Sequence, residues 1–229
     1  MKTPILMSWS GGKDSAMALH ELLKTGQYKI AALLTTVSQE YLRISHHGVR
    51  EILLDHQAAA IGVPLEKIYL PSNNSHPCTN ETYEQIMSDV MARYQSQGVQ
   101  TVAFGEKNLA KAAMTGLFPL WKRDTTQLAQ EIISLGFKAY LSCVEGTLGE
   151  GFVGRPYDTN LLQDLPPKID PCGEYGEFHT FVYDGPIFTR PVNVRVGQIV
   201  TRDGRHYADL LPEHSPASES HPAEMIPPV

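Results

Sequence analysis

The sequence is poor in cysteine and has no long apolar run. Its three cysteines, Cys78, Cys143 and Cys172, lie far apart and form no CxxC pair, which excludes a disulfide framework and a zinc site of the usual spacing. This cysteine usage is typical of a reduced compartment, and we expect a cytoplasmic protein. No apolar stretch approaches the roughly 20 residues of a membrane helix, and a glycine pair interrupts the first apolar run too early for a signal peptide. We therefore expect no membrane association.

The sequence also lacks the excess of positive charge that a nucleic-acid partner normally demands. Its 229 residues include 19 basic and 25 acidic side chains, a formal net charge of −6. Hydrophobic residues make up 42% and charged residues 19%, which suits a folded core rather than a disordered chain. The length is that of one large domain or two small ones.

The first half of the chain alternates short apolar runs with helical patterns. In chain order these segments lie at 4–9, 14–24, 29–37, 49–61, 65–70, 79–97 and 100–104. Buried strands separated by helices are typical of a parallel sheet that is covered on both faces. We therefore predict an α/β fold, namely a doubly wound, Rossmann-like parallel sheet in an α/β/α sandwich.

The second half differs in character, because glycine and proline punctuate shorter segments, and 192–200 with 206–211 predict a β-hairpin. We assign residues 1–120 to a first domain and 121–211 to a smaller α+β domain. Residues 212–229 hold five prolines and no periodicity, so we predict a disordered tail.

The densest motif is Ser10-Gly11-Gly12-Lys13-Asp14-Ser15, between the first predicted strand and the first predicted helix. A helix N-terminus exposes unpaired N–H groups and a partial positive charge, and the glycines let an anion approach the backbone. Lys13 adds a charge, and Ser10 and Ser15 add hydroxyl donors. Asp14 repels phosphate, so it is interpreted either as a helix-capping residue or as a ligand of Mg²⁺ on the phosphates. Since aspartate follows the lysine, the motif is not the usual P-loop.

A second motif, Asp170 to Thr180, is rich in acidic residues. From Glu177 the chain should extend, and a period of two places Glu177 and His179 on one strand face. A carboxylate beside an imidazole can act as a base or proton shuttle, and several carboxylates can bind an ammonium ion or a metal. The pattern by itself favours a simpler alternative, a solvated turn followed by a half-exposed strand.

The motif SGGKDS resembles the pyrophosphatase loop of the N-type ATP pyrophosphatases. The resemblance implies that the loop holds the pyrophosphate of ATP while a substrate oxygen attacks the α-phosphorus, and that a second nucleophile then displaces AMP. It also implies adenine near the ends of the first, second and fourth strands, which places Thr36 and Gly105 at the nucleotide. The switch-point rule for parallel sheets indicates the same crevice.

Residues 4 to about 211 resemble, in order, the diphthine–ammonia ligase (diphthamide synthase) family, a branch of that superfamily. Besides the loop, the resemblance rests on the stretches YLRISHHGVR, FPLWKRD, GFVGR and DPCGEYGEFHTFVYDGPIF. It implies a ligase that uses ATP and Mg²⁺ to adenylate a carboxylate and then amidates it with ammonia. Diphthine, the modified histidine of elongation factor 2, is one candidate acceptor, and the prediction leaves room for a homodimer.

These arguments yield three sets of candidate residues. The catalytic set is Lys13, Asp14, Glu174, Glu177 and His179. The nucleotide set is Ser10, Gly11, Gly12, Lys13, Asp14, Ser15, Thr36 and Gly105, with Asp14 as the metal ligand. The substrate set is His47, Arg50, Arg123, Arg155, Cys172 and Thr180, although a solvated loop explains His47 and Arg50 equally well.

Two alternatives stay open. One is a tRNA-thiolating enzyme, which would carry sulfur on a cysteine thiolate, with Cys172 as a candidate. The other is a nucleotide-binding protein without ligase turnover. It draws support from a departure from the family pattern, because Phe104-Gly105 runs straight into Glu106 where many relatives insert an acidic helical segment.

Overall fold

The structure is a computed structural model and describes residues 1–44, 47–71, 78–105 and 114–213. These residues form a mostly parallel sheet flanked by helices, followed by a smaller antiparallel sheet. The predicted α/β fold with a smaller C-terminal unit is therefore confirmed. Pro212, the first residue of the predicted tail, is the last residue of a strand, and residues 214–229 lie outside the described residues.

The first unit contains all the segments predicted for it, with small shifts at their ends. Its elements are β1 Thr3–Ser8, α1 Lys13–Thr25, β2 Tyr28–Ser38, β3 Arg43–Ile44, α2 Glu51–Ile61, β4 Leu65–Leu70, α3 Asn80–Ser96, β5 Thr101–Ala103 and β6 Thr115–Leu117. The last strand, β6, ends at Leu117. Pro119 has no N–H for a sheet ladder, and the chain turns there, with Trp121 N–H donating to the Phe118 carbonyl.

Five strands of the first sheet are parallel neighbours in the order β4, β2, β1, β5, β6. The short β3 pairs antiparallel with the end of β2, at Val37 and Ser38. The strand order reverses between β1 and β5, and sheets of this kind bind ligands outside the carboxyl ends of the strands at such a point. The glycine loop follows β1 and Gly105 follows β5, so both lie at this switch point.

Successive residues of β1 are buried on both faces of the sheet. Ile5 and Met7 belong to the core cluster that includes α1 and α2, whereas Leu6 packs with Met87 and Met91 of α3. A strand covered on both sides needs an unbroken apolar run instead of alternation, which is the pattern that predicts it from sequence. None of the described helices is both long and apolar enough to cross a membrane.

The second unit is an antiparallel sheet with the order β8, β7, β10, β9. Its elements are α4 Thr125–Ser134, β7 Lys138–Glu145, a 3₁₀ turn at Glu150–Phe152, α5 Thr159–Asp164, β8 Phe178–Asp184, β9 Val194–Arg202 and β10 Arg205–Pro212. The predicted hairpin is β9–β10, and Asp124 caps α4 by accepting a hydrogen bond from Gln127 N–H. The short α5 has no counterpart among the predicted segments.

The two units share one hydrophobic core. Met17 of α1 and Leu54 of α2 belong to the same buried cluster as Phe181 of β8 and Leu210 of β10. The second sheet therefore packs against the α1 and α2 side of the first unit, and its edge strand β8 lies beside α1. This packing brings the second half of the chain to the switch point.

Candidate active site

The glycine loop and the acidic motif form one site, although the sequence presents them as two. Val182 N–H donates to the Gly11 carbonyl at 2.9 Å, which joins β8 to the loop. Lys13 N–H, the first of α1, donates to Thr180 Oγ1 at 3.0 Å. The predicted substrate residue Thr180 therefore lies directly against the predicted phosphate loop.

The loop glycines are required by close packing as well as by the need to admit an anion. Gly11 has φ +76°, and a Cβ there would lie 2.8 Å from Gln57 Oε1. A Cβ at Gly105 would lie 2.8 Å from the backbone nitrogen of Ser15, so the end of β5 touches the first turn of α1. Larger residues would separate the parts of the crevice that these contacts bring together.

The N-terminus of α1 retains donors for an anion. Gly12 is its N-cap residue and supplies no side-chain acceptor, and the first intrahelical bond runs from Ala16 N–H to the Gly12 carbonyl. The N–H groups of Asp14 and Ser15 lie in the first turn, where a helix offers no backbone acceptor of its own. The capping interpretation of Asp14 is therefore wrong, because the position that a cap would occupy belongs to Gly12.

Ser10 and Ser15 brace the loop. Ser15 Oγ donates to the Gly12 carbonyl at 2.9 Å and lies 3.3 Å from Ser10 Oγ, and Ser10 Oγ accepts from Gly12 N–H at 3.3 Å. These bonds hold the backbone that presents the helix N-terminus.

Lys13 is almost fully buried, at 2% exposure, and is directed into the second unit. Its Nζ donates to the two carboxylate oxygens of Asp14, at 2.7 and 3.0 Å, and to the Cys172 carbonyl. The same nitrogen lies 5.4 Å from the ring centroid of Phe178 and 5.7 Å from that of Tyr157. The structure thus surrounds the Lys13 ammonium with oxygen acceptors and aromatic faces.

The acidic motif carries two carboxylates that support its own backbone. Glu177 accepts from Asp170 N–H at 3.0 Å and from Tyr175 N–H at 2.9 Å. Asp170 accepts from Cys172 N–H and from Thr125 Oγ, each at 2.7 Å. Glu177 directly precedes β8, and both of its hydrogen bonds go to the backbone of residues 170–175. It therefore stabilises the segment that carries the Cys172 carbonyl.

Burial dominates the protonation of the groups that face Lys13. It raises the pKa of the Cys172 thiol to about 12, against the opposing effect of the Lys13 charge. Burial, with the nearby Asp14 charge, also raises the pKa of Glu174. At neutral pH Cys172 is therefore a neutral thiol, and Glu174 is the carboxylate of the motif that interacts with both Lys13 and Asp14.

Two predicted histidines meet beside the loop. The rings of His47 and His179 lie with their centroids 4.4 Å apart and their planes tilted by 30°. A Cβ on Gly12 would lie 3.4 Å from His47 Cε1, so the pair flanks the glycines. His179 adjoins Thr180 on β8, and the structure thus brings both predicted histidines to one site.

Arg50 belongs to a clamp that holds the segment of His47 in place. Its Nε and Nη2 each bond to Asp209 of β10 at 2.9 Å, while Arg43 reaches Asp209 at 3.0 Å and the Gly48 carbonyl at 2.7 Å. Burial by itself would raise the pKa of Asp209, but the two arginines hold that pKa below its ordinary value. The structure places Arg50 as a tie between the two units.

Arg123 and Arg155 lie in other contacts. Arg123 pairs with Glu131 of α4, and Arg155 pairs with Asp164 of α5 at 2.6 Å. The described contacts do not bring these two predicted substrate residues to the loop.

β2 offers polar groups beside the loop where it passes the end of β1. Trp9 N–H donates to the Leu34 carbonyl at 2.8 Å, and the next two residues are Thr35 and the predicted nucleotide residue Thr36. The Thr35 hydroxyl is buried and has no hydrogen-bond partner among the described residues. A buried, unpartnered hydroxyl at this edge is consistent with a polar ligand.

Gln57 of α2 is a central residue that the sequence analysis missed. It is fully buried, and its Nε2 donates to the Gly11 carbonyl at 3.0 Å and to the Val182 carbonyl at 2.6 Å. Its Oε1 accepts from Trp9 Nε1 at 2.9 Å. One amide thus joins α2, the loop and β8. The only signal in the sequence is a glutamine within an apolar helical pattern.

We expect Gln57→Leu to weaken ATP binding at least about tenfold, because it removes the amide that ties the Gly11 carbonyl to α2 and leaves the buried Trp9 Nε1–H without its partner, at a cost of about 1–3 kcal/mol. Calorimetric titration with ATP measures the effect. Thr189→Val is the matched control, since it removes a 2.6 Å bond to the Ala60 carbonyl at the C-terminal end of α2. Equal ATP affinities in the two variants would contradict a positioning role for Gln57.

Comparison with known proteins places both units in one family. A sequence model described as the diphthamide synthase N-terminal domain matches residues 1–109, and one described as the diphthamide synthase C-terminal domain matches residues 124–210.

Curated relatives extend this match over most of the chain. Diphthine–ammonia ligase of Bos taurus is 25% identical over 236 residues, covering 88% of this chain and 86% of that protein. The Danio rerio protein of the same name is 26% identical and covers 88% of this chain and 90% of its own length. The Homo sapiens protein of the same name is 23% identical and covers 88% of this chain and 86% of its own length. Since the two domain models match in order, the chain belongs to the diphthamide synthase family.

Proposed function

We propose that this protein is an ATP-dependent ligase that activates a carboxylate as its adenylate and amidates it with ammonia. Diphthine on a protein acceptor is the substrate that the names of its relatives indicate. The observation that carries the proposal is the bond between Lys13 N–H and Thr180 Oγ1. It joins a helix N-terminus suited to pyrophosphate with a motif that carries carboxylate and imidazole groups.

ATP lies across the switch point in this proposal. The N-terminus of α1 holds the pyrophosphate portion, since the first-turn N–H groups and the helix dipole stabilise negative charge. Thr36 and Gly105 border the base on either side of β1, and the unpartnered Thr35 hydroxyl supports a polar ligand there.

Asp14 is the residue that would hold Mg²⁺. The described residues contain no cluster of three metal-ligating side chains, but magnesium commonly uses one or two carboxylates together with substrate phosphates and water. The ion would neutralise charge on the phosphates. Asp14 lies in the first turn of α1, beside the donors for pyrophosphate, and therefore fits this function.

In the proposed reaction, negative charge develops on the departing pyrophosphate, and a proton is lost from the attacking nitrogen. The acceptor carboxylate attacks the α-phosphorus, and pyrophosphate leaves with negative charge that the helix N-terminus stabilises. Ammonia then attacks the acyl carbon, the new C–N bond forms, and the carboxyl oxygen leaves with AMP. Glu174 and His179 are the groups at this site that can receive the proton lost by the nitrogen.

The buried cysteines argue against the sulfur-carrying alternative. A thiolase needs a thiolate, whereas burial raises the pKa of Cys172 to about 12 and also raises the pKa of Cys143. The departure from the family pattern after Gly105 falls on residues 106–113, outside the described residues. Turnover itself therefore decides between a ligase and a protein that only binds nucleotide.

The deciding experiment supplies ATP, Mg²⁺, ammonium and diphthine-bearing elongation factor 2 to the purified protein. We expect AMP, pyrophosphate and amidated acceptor in equal amounts, measured by chromatography and mass spectrometry. Release of ADP and phosphate would contradict cleavage between the α and β phosphates. Binding of ATP without release of any product would support the non-catalytic alternative.

A further inference from the structure

The surroundings of Lys13 Nζ form a small cage for a primary ammonium group. The Cys172 carbonyl and the Asp14 carboxylate accept its hydrogens, and the rings of Tyr157 and Phe178 lie within 6 Å of the nitrogen. Tyr157 is held in turn by a 2.7 Å bond from its hydroxyl to the Pro171 carbonyl. Hydrogen-bond acceptors combined with π faces are the groups that recognise ammonium ions in proteins.

If Mg²⁺ bound at Asp14, the ion and the Lys13 ammonium would compete for the same carboxylate. Asp14 gives both of its oxygens to Lys13 Nζ, so a divalent ion there competes directly with the ammonium group. Lys13 is the first residue of α1 and directly follows Gly12. A rotation of its long side chain would move Nζ out of the cage towards phosphates bound at the helix N-terminus.

We infer that this cage, formed by Tyr157, Phe178 and the Cys172 carbonyl, is the binding site of the ammonium substrate, and that Lys13 occupies it until ATP binds. The inference rests on the proposed amidation. Glu174, which interacts electrostatically with both Lys13 and Asp14, supplies negative charge beside the cage after Lys13 has left. The same displacement orders the substrates, since ammonium enters only after ATP.

The first test removes an aromatic wall. Tyr157→Leu is expected to raise the KM for ammonium about tenfold with little change in the KM for ATP, because an ammonium over a ring loses its cation–π contact. Tyr157→Phe keeps the ring and should restore most of the affinity. Tyr94→Leu is the control, since it removes a ring that lies under Arg93 on α3, away from the site. An unchanged KM for ammonium in Tyr157→Leu would overturn the inference.

The second test needs no turnover. Lys13→Ala empties the cage, so ammonium chloride should raise the melting temperature of this variant above that in sodium chloride by about 3 °C when ammonium is present at ten times its Kd. The wild-type protein without ATP should show no such difference. Equal melting temperatures of Lys13→Ala in the two salts would overturn the inference. If ammonium stabilises Lys13→Ala but the wild-type protein makes no amide, the proposed function is wrong, whereas the cage is still an ammonium-binding site.

Discussion

Asp14→Asn will lower the rate of pyrophosphate release by about 10²–10³-fold and leave the fold intact. The expected size is that of removing one group that stabilises charge in a transition state. Asparagine has nearly the same shape as aspartate but no charge, so it would bind the proposed Mg²⁺ more weakly and cannot form an ion pair with the Lys13 ammonium.

Release of labelled pyrophosphate under single-turnover conditions measures this effect, and urea unfolding checks the fold. Asp124→Asn is the matched control, because Asp124 caps α4 through a 2.9 Å bond and asparagine is an equally good cap. If Asp14→Asn released pyrophosphate as fast as Asp124→Asn, Asp14 would have no part in the reaction.

Asp209→Ala will reduce the free energy of unfolding by about 3 kcal/mol or more, because it leaves the buried Arg43 and the partly buried Arg50 without their common counter-ion. We expect turnover to fall as well, since the clamp holds the segment that places His47 against His179. Asp184→Asn is the control, because its ion pair with Lys138 is largely exposed and should contribute little.

The contribution of Asp209 to the free energy of unfolding also depends on pH, in a direction that follows from its lowered pKa. A carboxyl whose folded pKa is below the unfolded value stabilises the protein above the unfolded value, near pH 4, and loses this contribution as pH falls through the folded pKa. The stability difference between wild type and Asp209→Ala should therefore shrink below about pH 4. A difference that stayed constant down to pH 2 would contradict the charge-based explanation.

The local elements were predictable because their signals are local. The apolar run at residues 4–9 predicts β1, found at Thr3–Ser8, and the helical pattern at residues 14–24 predicts α1, found at Lys13–Thr25. The loop after β1 is likewise recognisable, because the complete motif SGGKDS lies between the first predicted strand and the first predicted helix. Each of these features depends on neighbours within a few positions along the chain.

The partners of the long polar side chains were decided by tertiary structure. Arg50 and Arg123 look alike as candidate substrate residues, yet one binds Asp209 of β10 and the other Glu131 of α4. Gln57 acquires its importance only when β8 and the glycine loop are packed against α2. The periodicity of a sequence indicates whether a residue is buried or exposed. It does not indicate which group, distant along the chain, will lie within hydrogen-bonding distance of that residue.

The sequence by itself thus determined the α/β fold, the helix N-terminus that the SGGKDS loop presents and the resemblance that names the family. Tertiary structure alone decided that this loop and the acidic motif are one site, through Lys13, Thr180 and Cys172. The physical reason is that apolar runs and glycines determine the conformation of the backbone at their own positions in the chain. The contacts across the site exist only because a shared core packs the second sheet against α1 and α2.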